Sequence, residues 1–125
     1  MAKYYFTERG KAAIVFLSTM MVKADGKTDA KELDLSIIFF KKLDIGSDAL
    51  SLYKTLTLTE AINIVKAMSI DEKKLVRVIL STILAADGNA DIREIAILSE
   101  VSSAAEIPQV LPDEGRKILE ELYLV

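Results

Sequence analysis

Six carboxylates recur in two copies of one short pattern. Ala24-Asp25-Gly26-Lys27-Thr28-Asp29-Ala30-Lys31-Glu32-Leu33 returns as Ala86-Asp87-Gly88-Asn89-Ala90-Asp91-Ile92-Arg93-Glu94-Ile95. Asp25 and Asp87, Asp29 and Asp91, and Glu32 and Glu94 are each 62 positions apart, so the register holds throughout. Carboxylates are hard oxygen ligands, and clustered they suit calcium or magnesium. The chain has no Cys and no His, which excludes disulfides, thiolate chemistry and imidazole metal ligation. Asp25, Asp29, Glu32, Asp87, Asp91 and Glu94 are therefore the candidate metal ligands, with a divalent cation as the only cofactor they suggest. The loop is not an EF-hand, which needs alternating ligands ahead of its Gly and a bidentate Glu at the loop's end. Here Gly directly follows the first Asp. One turn offers at most three carboxylates, so its site would be weak unless water, carbonyls or the second turn completed the shell.

Each acid also has ordinary structural work available. Asp29 and Asp91 fit helix N-caps, worth about 1 kcal/mol each. Glu32 and Glu94 then fall in the first helical turn, where the dipole favours an acid by about 0.3–1 kcal/mol. Asp25 and Asp87 differ, because each follows an apolar helix whose C-terminal dipole disfavours an acid. Two explanations stay open for them. Either an Asx-type turn or N–H groups of the next helix hold the carboxylate, or a cation does.

Composition bounds the rest. A chain of 125 residues suits one domain, 1–125, with a single hydrophobic core. The apolar fraction is 51% and the mean hydropathy +0.30, while 28% charged residues favour solubility. The apolar stretch Ala12 to Val22 is about eleven residues, short of the roughly 20 that span a bilayer. No signal peptide is legible, and the expectation is a cytoplasmic protein without direct membrane insertion. The net charge of −3 carries no dense basic patch. Lys73, Lys74 and Arg77 come nearest and read as a solvated helix face, so nucleic acid is not an expected partner.

The elements that must position the acids read as helices, since the apolar spacing is helical and no segment alternates as a strand would. Thr7 caps a first helix from about Glu8 to Ala24, apolar on nearly every side and so expected at the centre. A second runs from Asp29 to about Leu43 with Leu33, Ile37 and Phe40 as its buried stripe and Ile38 and Phe39 beside it. The stretch 44–58 is ambiguous, with Ser47-Asp48 as the cap of a short helix and Thr57 to Thr59 as a break. Thr59-Glu60 opens a further helix. Ser69-Ile70-Asp71-Glu72 is a capping box for a helix from Ile70 to Ala86, apolar nearly all round. Another follows from Asp91 to Glu106 with Ile95, Leu98 and Val101 buried, and Pro112 starts the last. The expected fold is an all-α bundle of about six or seven helices. Its two halves, repeats of about 12–45 and 74–107, are related by a pseudo-two-fold axis, each a helix, an Asp-Gly turn and a helix.

Two Ala-Asp-Gly-x-x-Asp-x-x-Glu turns, each after a very apolar helix in an all-helical chain of this length, resemble the TerB family of tellurite-resistance-associated proteins. The resemblance covers about Ala12 to Ile107. It implies a small helical bundle with two related halves, acting in a cytoplasmic stress response linked to tellurite. It further implies protein partners, including a membrane protein of the same system, and a metal role for the six acids above. Thr28 and Ala90 stand where that family often has Ile or Val.

Three function classes follow. A non-enzymatic TerB-like binding module with acidic turns that hold a divalent ion is the leading expectation. A purely structural interaction domain, whose acids only cap helices, is its alternative. An apolar patch at Leu50 to Leu58 or Leu122 to Leu124 would serve that alternative, and homodimerisation through either stays open. An enzyme would have to work with carboxylates, Lys, Tyr or a metal, and no further motif supports one.

Overall fold

In a computed structural model of the chain, residues 6–23, 30–86 and 92–123 are described. Seven helices follow in order: α1 (Glu8–Val22), α2 (Ala30–Lys42), α3 (Ser47–Tyr53), α4 (Leu58–Lys66), α5 (Ile70–Leu84), α6 (Ile92–Ala104) and α7 (Pro112–Tyr123). The described residues contain no strand. None of their helices is long and apolar enough to cross a membrane.

Local chemistry explains where the helices begin. The Gly10 N–H donates to Thr7 Oγ1 at 3.0 Å and starts α1. At α5 the Glu72 N–H donates to Ser69 Oγ at 3.2 Å, while the Ser69 N–H donates to Glu72 Oε1 at 3.0 Å. This is the reciprocal box that the sequence predicts. A second box lies at α4, where Thr57 and Glu60 exchange the same two bonds at 3.2 and 3.0 Å. The helix therefore opens at Leu58, one residue before the expected Thr59. Thr57 is its cap and not part of a break, because Thr-x-x-Glu satisfies two orphan donors at once. In the ambiguous stretch α3 does form, with Gly46 as its N-cap and no side-chain cap.

The duplication is a structural fact as well as a sequence pattern. Both ends of α1 and α5 are 62 positions apart, and so are both ends of α2 and α6. The ends of α2 and α6 repeat in detail. Asp44 and Glu106, at φ 56° and 55°, take the left-handed conformation that closes a helix. The Ile45 N–H then donates to Phe40 O at 2.9 Å, and the Ile107 N–H to Ser102 O at 2.8 Å. A lysine from the preceding central helix secures each turn. Lys11 Nζ donates to Asp44 O at 3.0 Å, and Lys73 Nζ to Glu106 O at 3.4 Å.

The two helices expected at the centre are there. Ala13, Ile14, Leu17 and Met21 of α1 and Leu75, Val76, Ile79 and Ile83 of α5 are fully buried in one cluster. α1 packs on α2, α3, α4, α5 and α6, and α5 on α1, α2, α6 and α7. At about 1.5–3 kcal/mol for each large apolar side chain, this cluster dominates the favourable side of folding. The halves part company after their matching turns. The first passes into α3, which lies on α1, whereas the second runs through 107–111 without helix before α7 returns to α5.

Lys73, Lys74 and Arg77 are not a solvated face. Lys73 is buried against the Glu106 turn, and Lys74 Nζ pairs with Glu114 Oε2 at 2.7 Å, tying α5 to α7. The Lys74 hydrogen bond holds the Glu114 carboxyl below the usual carboxylate range. A depressed folded-state pKa gives stabilisation that is complete above the unfolded value and lost as pH falls through the folded one. Screening by solvent keeps that contribution small. In an NMR titration Glu114 should protonate below the usual carboxylate range, and Lys74→Met should raise it toward that range.

Candidate functional site

Of the six candidate ligands, Glu32 and Glu94 lie among the described residues. Asp25, Asp29, Asp87 and Asp91 lie outside them, as do the expected αL positions of Gly26 and Gly88. α2 and α6 begin directly after Asp29 and Asp91 in sequence. α1 and α5 end at Val22 and Leu84, each with its cap one residue on, at Lys23 and Ala85. They stop two residues short of the expected Ala24 and Ala86. Asp25 and Asp87 thus stand three positions in sequence beyond the last helical residue, farther along the chain from the helix end than expected.

Glu32 and Glu94 change in the opposite sense. As first-turn dipole partners they would face water, yet their relative exposures are 2% and 3%. The buried face of α2 is Glu32, Ser36 and Phe39, while Leu33, Ile37 and Ile38 of the expected stripe are 43–44% exposed. In α6 the buried positions are Glu94, Val101 and Ser102, and the expected Ile95 is 47% exposed. The helices are rotated so that the motif's glutamate, not its following aliphatic residue, points inward. Ser36 can face the core because its hydroxyl donates to Glu32 O at 2.9 Å within its own helix.

Magnitudes show what this burial demands. An uncompensated carboxylate buried in protein costs several kcal/mol. The N-terminal dipole returns about 0.3–1 kcal/mol, or roughly 2 in partly buried geometry. Glu94 Oε2 has no hydrogen-bond partner among the described residues. Ordered water, residues 87–91 or a cation can supply the balance, and an orphaned buried oxygen of this kind fits a hard-ion ligand. Among the described residues no three carboxylates converge on one point. A complete shell would therefore draw on the aspartates of the turns.

The structure also brings together a group that sequence reasoning missed. Arg77 projects between two clefts, one against α6 and one against α7. Nothing in the local pattern marks it, since Arg77 belongs to α5 and its neighbours come from α6 and the Glu106 turn. One signal was available. Aligning the repeats places Arg77 where the first copy has Val15, and Ser102 where it has Phe40.

No family model matches the sequence, and no characterised protein matches it either. Among solved structures, a protein of unknown function from Porphyromonas gingivalis has the same fold with a TM-score of 0.80. The two share 24% identity over 96% of this chain and 94% of that one. That likeness establishes the all-α bundle and carries no activity.

Proposed function

We propose that this chain is a non-enzymatic, TerB-like binding module whose two acidic turns hold a divalent cation, calcium or magnesium. The observation that carries the reading is the paired burial of Glu32 and Glu94 at equivalent places in the two halves. A glutamate serving only as a dipole partner gains nothing from burial, whereas a ligand to a hard ion must leave bulk water. Asp25, Asp29, Asp87 and Asp91 would complete the site with carbonyls and water. On this reading the module acts in a cytoplasmic stress response, with tellurite as the stress that the resemblance names, and a protein partner reads its ion-bound state. A membrane protein of the same system is the partner that the resemblance implies.

Backbone NMR with calcium, magnesium and zinc tests the proposal. The Gly26 and Gly88 amides should shift together and saturate at millimolar ion. Asp25→Asn with Asp87→Asn should abolish the response without changing the helical spectrum. If neither glycine moves at millimolar ion, the cation role is wrong.

A second reading has one observation in its favour. Leu33, Ile37 and Ile38 form an exposed apolar strip on α2, the kind of surface a protein-interaction domain presents. Of the patch expected at Leu122 to Leu124, Leu122 is 2% exposed and Leu124 lies outside the described residues. On this reading the acids are structural, and Leu33→Asp with Ile37→Asp should release a partner while ions have no effect.

A further inference from the structure

The cleft between α5 and α6 has a composition that packing does not explain. It encloses about 400 Å³, near the lower end of small-ligand sites. Its donors are Arg77 from α5, Ser99, Ser102 and Ser103 from α6, and Gln109 from the segment before α7. Ile95, Leu98 and Ile107 supply an apolar wall, and no carboxylate lines it. Of the two acids adjacent in sequence to that wall, Glu94 and Glu106, neither lines the cleft, and Glu106 pairs with Lys66 at 3.1 Å.

Two groups in the cleft have no protein partner among the described residues. Arg77 is partly buried and has no carboxylate within ion-pair distance among the described residues. Ser102 is 6% exposed, and its Oγ has no hydrogen-bond partner among them. A helical serine ordinarily bonds the carbonyl one turn back, as Ser36 does here. Ser102 leaves its hydroxyl uncommitted, on a residue that lines the cleft.

The internal repeat supplies an independent comparison. At the register of Arg77, Ser99 and Ser102 the first half carries Val15, Ile37 and Phe40. The same scaffold thus tolerates three apolar residues where the second half has a cation and two hydroxyls. In the second half the covering helix starts later: α3 covers α1 from Ser47, the register of Gln109, whereas α7 covers α5 only from Pro112, and 107–111 is not helical. Folding does not require the charge at this register.

We propose that this cleft binds a small phosphomonoester, its phosphate on Arg77 and the serine hydroxyls and its body on the apolar wall. A carboxylate offers two oxygens to a cleft lined by a guanidinium, three hydroxyls and an amide. A phosphomonoester offers three strong acceptors and up to two charges. The site shares no donor with the acidic turns, so it stands whether or not those turns hold a cation.

The test is an NMR titration of the full chain without divalent ion, using phenyl phosphate, inorganic phosphate, benzoate and phenol. Phenyl phosphate should shift the Ser99, Ser102, Ser103 and Gln109 amides and saturate. Inorganic phosphate should move the same amides more weakly, and phenol should not move them. Arg77→Val and Ser102→Phe each install the residue that the other half carries at that register. Circular dichroism should show both folded. Arg77→Val should weaken phenyl phosphate about tenfold or more, as expected for loss of a charged hydrogen bond. Ser102→Phe should fill the cleft and remove the shifts. Shifts scattered over the surface, equal binding of benzoate, or unchanged affinity in folded Arg77→Val would each overturn the proposal.

Discussion

Phe39→Ala is expected to destabilise the protein by about 3–5 kcal/mol, the range for a buried aromatic truncated to alanine. Ile37→Ala and Leu33→Ala, on the same helix, should stay within about 0.5 kcal/mol. Phe39 has no exposed surface, whereas Ile37 and Leu33 are 43% and 44% exposed. The hydrophobic pattern alone ranks these residues the other way, with Leu33 and Ile37 on the buried stripe. Chemical denaturation of the three variants distinguishes the orientations, because the midpoint shift is large for one residue and near zero for the others. A large loss at Ile37 with little at Phe39 would mean that α2 packs by its aliphatic stripe. Glu32 would then face solvent, and the candidate site would lose one of its two buried members.

The second large effect concerns Glu94. In the absence of divalent ion, Glu94→Leu should raise stability by about 1–3 kcal/mol. Replacing an uncompensated buried charge with an apolar side chain of similar volume is commonly neutral or stabilising. The dipole interaction lost at the helix start offsets only about 0.3–1 kcal/mol of that gain. The melting temperature should rise by several degrees in EDTA. Millimolar calcium or magnesium should stabilise the native chain, as any ligand of the folded state does, and leave the variant unmoved. The opposite result, a loss above about 1 kcal/mol in EDTA, would mean that donors from 87–91 already satisfy the carboxylate. Glu94 would then be a structural cap, and the interaction-domain reading would gain accordingly. Glu94 isolates this question better than the turn aspartates, whose structural role and ligand role both depend on the same loop.

Two opposite corrections frame the site. Asp25 and Asp87 stood out in the sequence as acids that the helix dipole opposes. α1 and α5 end two residues earlier than the pattern suggests, which sets these acids farther along the chain from the helix ends. Glu32 and Glu94 stood out least, since a first-turn glutamate needs no explanation on the surface. Both are buried, and Glu94, whose Oε2 has no hydrogen-bond partner among the described residues, is the acid that most requires a compensating group.

The sequence by itself determined the helical class, the internal repeat and the two central helices. These depend on short-range periodicity and on caps, which act within a few residues. Ser69 with Glu72 was legible for that reason, and Thr57 with Glu60 obeys the same rule. The repeat also made the exchange of Val15 for Arg77 and of Phe40 for Ser102 readable before any coordinates. Only the tertiary structure decided which face of α2 and α6 turns inward. Both helices carry apolar residues on more than one side, so periodicity leaves their rotation open and packing against α1 and α5 settles it. The tertiary structure likewise decided that Lys73 and Lys74 bind neighbouring elements, and that Arg77 lines one cleft with three serines of α6. Those groups are separated in sequence and meet only because α6 packs beside α5.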